Sequence, residues 1–158
     1  MTQEKKQEFT LKISQANKTQ MITIIYEMVI DYLDEAMDSF GIGKKDDGEK
    51  ALLNAQNCID ELIRSLNLKV ELGKMLHQLY IFSKKELIVA GVTHNMHRIW
   101  RVKKNFKTLH EGYRELEKLD SSEPMMDNTQ KVYAGLTYGR NSLNENMALD
   151  AINRGFMA

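Results

Sequence analysis

One cysteine and one proline are all that the 158 residues hold of either type, and each scarcity removes a class of structure. Cys58 alone excludes an intrachain disulfide and a cysteine-based zinc site. Its place between Ala55 and Leu62 on an apolar helical line marks it as a packing residue, not a reactive thiol. With Pro124 the single proline, nothing of that kind breaks a helix earlier in the chain. An excess of one charge is missing too: Lys plus Arg and Asp plus Glu are both 22. There is then no bulk charge to hold nucleic acid or an anionic membrane surface. No apolar run approaches the roughly 18 residues of a membrane span, and the opening MTQEKKQEFTLK lacks the apolar segment of a secretory signal. The expectations are therefore no nucleic acid, no membrane insertion, and a cytoplasmic location.

What is present is helical periodicity. Between residues 17 and 119 apolar residues recur at three and four, with no sustained alternation of the strand kind. The pattern predicts helices over 18–40, 49–66, 71–90 and 94–119. Glycines in GIGKKDDG break it after Phe40. Connections this short make neighbours antiparallel, so the fold class is all-α, an antiparallel up-down four-helix bundle. Asn17 with Gln20 three residues on is a capping-box pattern, and Thr93 is the expected cap of the last core helix. The bundle domain is set at 17–119, preceded by a polar segment, 1–16, carrying Phe9, Leu11 and Ile13. It is followed by a tail, 120–158, in which Leu143, Met147, Ile152 and Phe156 are helically spaced, predicting a short fifth helix over 142–156.

Two helices carry more apolar surface than one core face uses. In the first, Ile22, Ile25, Tyr26, Val29, Leu33, Ala36 and Phe40 make the core face, and a second line, Met21, Ile24, Met28 and Tyr32, lies about a quarter turn or more away. In the third, Leu72, Leu76, Leu79 and Leu87 are the expected core, leaving Met75, Phe82 and Val89 off it. The second lines either pack inside as part of a wide stripe or form an exposed groove for an amphipathic helix. Ten methionines, unbranched and polarizable, suit a surface that adapts to varied ligand shapes.

Three stretches resemble the flagellin secretion chaperones of the FliS type. MITIIYEMVIDYLDEA, residues 21–36, is similar to the family's first-helix pattern, with Ile25-Tyr26 in place of Leu-Tyr. ALLNAQNCIDELIRSLN, residues 51–67, resembles its second helix. LHQLYIFSKKELIVAG, residues 76–91, resembles the third, in which Leu-x-x-Leu-Tyr precedes a basic pair. The likeness runs on through Val102, Leu109 and Tyr113 and covers roughly residues 8–117, with Lys18, Gly91 and Tyr113 standing where the family has Pro, Asn and Trp. The resemblance implies a non-enzymatic cytosolic chaperone without cofactor. Such a protein holds the disordered C-terminal part of flagellin on an apolar surface, prevents its polymerisation and presents it to the export gate. Met21, Ile24, Met28, Tyr32, Met75, Phe82 and Val89 are the expected groove. Phe9, Leu11 and Ile13 would cover it when cargo is absent, and the Leu143, Met147, Ile152 and Phe156 line is a second candidate cover. Oligomeric state is left open.

Catalytic and metal chemistry finds little support. A di-iron bundle needs Glu-x-x-His on two helices, and none of His77, His94, His97 and His110 has a glutamate three residues earlier. His94 and His97 lack a nearby carboxylate in sequence for a strong metal site. A histidine phosphotransfer bundle would show Lys and Gly shortly after its histidine, and none of the four does. The basic run Arg98, Arg101, Lys103, Lys104 and Lys107 points in most directions on a helical wheel, unlike a phosphate-binding row. The remaining alternative is a non-catalytic adaptor that uses the methionine-rich surface for another amphipathic helix.

Overall fold

Five α-helices account for the secondary structure of residues 1–126, the part of the chain described by the computed structural model, and no strand occurs among them. They are α1 Gln3–Gln15, α2 Lys18–Gly41, α3 Lys45–Ser65, α4 Glu71–Thr93 and α5 Met96–Glu117. The expected all-α class holds, with the core helices of the sequence pattern appearing as α2 to α5. The helix expected over 142–156, with Leu143, Met147, Ile152 and Phe156, lies outside the described residues.

The helix ends follow local chemistry. The Asn17 box forms in both directions: the Gln20 N–H donates to Asn17 Oδ1 at 2.9 Å and the Asn17 N–H donates to Gln20 Oε1 at 3.0 Å. Thr93 does not cap α5. It is the last residue of α4, its hydroxyl donates to the Val89 carbonyl, and His94 makes the turn in the left-handed region at φ 51°. Asn95 takes the capping role, its Oδ1 accepting from the N–H of His97 at 3.0 Å. Between α2 and α3 the chain turns at Gly43, φ 78°. The α3 helix starts earlier than its apolar pattern, because Asp46 and Asp47 sit in its first turn where the helix dipole favours them.

Two compact units divide the described residues, 1–24 with 112–126, and Ile25–Glu111. In the first, α1 forms where only a polar segment was expected. Thr2 accepts from the Lys5 N–H, and Phe9 and Ile13, one turn apart, are buried. The start of α2 also captures the chain after α5. Asn17 Nδ2 donates to the Asp120 and Ser122 carbonyls, the Thr19 hydroxyl donates to Asp120 Oδ2 at 2.5 Å, and the Met125 N–H donates to the Ala16 carbonyl. Donation from Ser122 and Thr19 lowers the Asp120 carboxyl to about 2. Stability from this group is therefore present above the ordinary carboxylate range and lost only as pH falls toward that value.

The second unit is the bundle, and its register can be read from side-chain pairs. Asp60 on α3 accepts from Lys84 on α4 at 2.6 Å, and further along Glu49 meets His94 at 3.0 Å just past the end of α4. Partners climb one helix as they descend the other, so α3 and α4 are antiparallel. The same holds for α2 and α5, where Asp34 pairs with Lys103 and Glu27 with His110. At the centre Tyr26, Tyr80 and Phe106 bring α2, α4 and α5 together. The tyrosine hydroxyls are 2.5 Å apart, and Phe106 is edge-on to Tyr26 and stacked with Tyr80. The expected core line of α4 needs correction. Leu76 and Leu87 are buried, Leu79 is half-buried and Leu72 is exposed, while Tyr80, Ser83 and Ala90 complete the inward face. Ser83 is tolerated there because its hydroxyl donates to the Leu79 carbonyl. Gly73 is buried too, beneath the α3–α4 connection, where a Cβ would run into the Asn67 carbonyl oxygen.

Candidate functional site

The two surplus apolar lines have opposite fates. On α2 the line is closed: Met21, Ile24, Met28 and Tyr32 are all buried, none above 7% exposed. Of the core face of α2, Ile22, Ile25, Tyr26, Val29, Leu33 and Ala36 are buried as well and Phe40 is half-buried, so the buried apolar arc of that helix is wide. On α4 the line is open: Met75 is 60% exposed, Phe82 48% and Val89 38%, and Leu72, expected in the core, joins them at 56%. The seven expected groove residues are thus not brought to one open face. Four are buried, and the other three gain a fourth.

Helical spacing makes the α4 residues a strip. At about 100° per residue, Leu72, Met75, Leu79, Phe82 and Val89 fall on a single side, next to the inward face that carries Leu76, Tyr80 and Leu87. Inward and exposed residues alternate because a bundle partner covers less than half of a helix's circumference. Glu86 lies on the same side between Phe82 and Val89, yet it is only 9% exposed. Arg98 Nη1 donates to Glu86 Oε1 at 2.7 Å, and Arg101 pairs with Oε2. Both carboxylate oxygens are therefore satisfied from α5, which fastens α5 alongside the strip and keeps an isolated negative charge off it. Sequence reasoning missed this clamp because the carboxylate and its guanidinium groups sit on different helices. The α3–α4 connection carries two further exposed apolar residues, Leu68 at 51% and Val70 at 49%.

The expected cover residues are placed as follows. Phe9 and Ile13 are buried and Leu11 is half-buried on α1, with Lys12 Nζ 5.3 Å from the Phe9 ring centre. The second set, in 142–156, lies outside the described residues.

One buried ionisable group stands apart from the strip. Glu61 on α3 is 4% exposed; Oε1 pairs with Arg64 and Oε2 has no hydrogen-bond partner among the described residues. Burial raises its carboxyl above the ordinary value, with Arg64 opposing. The folded state holds this proton more tightly than the unfolded chain, so the group contributes stability below the ordinary value of about 4.3, lost as pH rises through the raised one. At neutral pH it is a cost. Glu61→Leu is expected to raise the unfolding free energy by about 1–3 kcal/mol at pH 7. The advantage should shrink near pH 4, as read from paired urea titrations, and an equal gain at both pH values would show that the charge is not the cause.

Among the described residues no group of three or more His, Cys, Asp or Glu side chains is placed to hold a metal ion, and no helix is long and apolar enough to cross a membrane. The geometry leaves an apolar strip open along α4, edged by a satisfied ion-pair clamp. Compared with protein families, residues 1–120 match the family model described as flagellar protein FliS. A search of curated proteins finds no match.

Proposed function

Since the chain belongs to the FliS family of flagellar proteins, we propose that it is a non-catalytic export chaperone whose cargo is the disordered C-terminal region of flagellin. Its task is to keep that region from polymerising before delivery to the flagellar export gate. The observation that carries the reading is the open α4 strip, Leu72, Met75, Phe82 and Val89. Monomeric proteins seldom leave such a row of large apolar side chains uncovered unless a partner takes it. An amphipathic cargo helix would supply anchors at i, i+3, i+4 and i+7.

The magnitudes are consistent with reversible holding. Four anchors at about 1.5–3 kcal/mol each yield on the order of 6–12 kcal/mol gross, and ordering a disordered cargo offsets several kcal/mol of it. At the upper end of that range the net is about 8 kcal/mol, a micromolar affinity, strong enough to mask a subunit and weak enough to release it.

In this reading residues 17–119 are the working domain. The buried line Met21, Ile24, Met28 and Tyr32 can take cargo only when whatever covers it is displaced. For Met21 and Ile24 the candidate is α1, which shares their unit and buries Phe9 and Ile13. Calorimetric titration with a synthetic flagellin C-terminal peptide tests the function. Saturable binding near micromolar is expected, and no heat up to about 1 mM would exclude flagellin as cargo.

A further inference from the structure

The basic run on α5 is sorted by the fold into two groups. Arg98 and Arg101 are taken by Glu86 on α4, and Lys103 by Asp34 on α2. Lys104 and Lys107 make no ion pair among the described residues. With Ile99, Val102 and Phe106 facing inward, the outward side of the same helix carries Met96, His97, Trp100, Lys104 and Lys107 within an arc of about 100°. No Asp or Glu occurs on α5 before Glu111.

At the centre of that side is Trp100, 48% exposed, with Met96 one turn earlier at 46%. The indole is held rather than loose. The His97 ring stacks on it with centroids 5.7 Å apart and planes 19° from parallel, and Lys104 Nζ lies 5.4 Å from its centre. A large aromatic side chain already fixed in place loses little conformational freedom when a partner covers it, which is why tryptophan is frequent among residues that dominate interfaces. The surrounding charge then selects the partner's sign.

We infer that the outward face of α5, Met96, His97, Trp100, Lys104 and Lys107, is a docking site for an acidic segment of a partner protein. An apolar side chain of that segment covers Trp100, and its carboxylates meet Lys104 and Lys107. The exposed Met96–Trp100 pair and the small number of lysines beside it favour a peptide over nucleic acid. Three of the five run cations are consumed inside the bundle, and two lysines are too few for a phosphate track, which draws its affinity from many cation contacts. The site lies on a different helix from the α4 strip and does not depend on the cargo assigned above.

Trp100 is the single tryptophan of the chain, so its emission reports on this face alone. The test titrates the full chain with a tryptophan-free peptide of interleaved glutamate, leucine and phenylalanine, against the same peptide with glutamine for glutamate. The acidic peptide should shift Trp100 emission to the blue with saturation. The double substitution Lys104→Glu with Lys107→Glu should weaken binding about tenfold or more, while Lys50→Glu on α3 leaves it unchanged. Far-ultraviolet dichroism checks that the variants keep their helices, and the milder Lys104→Gln with Lys107→Gln pair serves if the reversal does not fold. No spectral change, an equal response to the glutamine peptide, or displacement of the acidic peptide by a single-stranded oligonucleotide at lower concentration would each overturn the inference.

Discussion

Phe106→Ala will destabilise the protein by about 3–5 kcal/mol, the largest single-residue effect expected on stability. The phenyl ring is fully buried and contacts two other helices at once, edge-on to Tyr26 at 5.7 Å and stacked with Tyr80 at 6.1 Å. Truncation removes its apolar area from the core and opens a void beside the 2.5 Å hydroxyl pair of Tyr26 and Tyr80. Both tyrosine rings lie against the phenyl ring, so the void cannot close without moving one of them. Unfolding in urea should show the loss, and thermal unfolding should drop by roughly 6–20 °C. A change under about 1 kcal/mol would mean that the three rings are not the joint between α2, α4 and α5.

Replacing Met75 and Phe82 together by glutamate will reduce affinity for the flagellin C-terminal peptide at least about 100-fold, or about 2.7 kcal/mol. These are two of the large anchors of the strip, and each substitution both deletes apolar contact and requires a carboxylate to be desolvated on binding. The fold should be nearly indifferent, because the side chains are 60% and 48% exposed. Stability is expected to move by less than about 1 kcal/mol, so a loss of binding is not a loss of structure. Calorimetric titration of the variant against the unsubstituted chain decides it. Unchanged affinity, with the unsubstituted chain binding, would place the cargo away from α4 while leaving the assignment of flagellin intact.

The candidate site is partly legible in the sequence. Met75, Phe82 and Val89 stand off the core face by helical spacing alone, and the structure leaves all three exposed. Met21, Ile24, Met28 and Tyr32 stand off theirs by the same spacing and are buried. Periodicity measures the angle between two lines on one helix, but it does not say what lies against either. Leu72 shows the complementary limit: it begins α4, where a helix can project past its neighbours, so a leucine at a core-like position is exposed. Thr93 fits the cap pattern without capping, because any Ser, Thr, Asn or Asp near a helix start satisfies it, and only the backbone path distinguishes Thr93 from Asn95.

What the sequence determined by itself was the all-α class, four core helices, the Asn17 box and the placement of turns near Gly43 and before α5. These depend on interactions within a few residues of each other, for which spacing along the chain is spacing in space. Tertiary structure alone decided which apolar line stays open and which cations are used up. Glu86 and Asp34 reach α5 from helices distant in sequence, and burial depends on whatever packs against a face. Such pairings are set by the bundle's register, a property of helices against one another and not of any one of them.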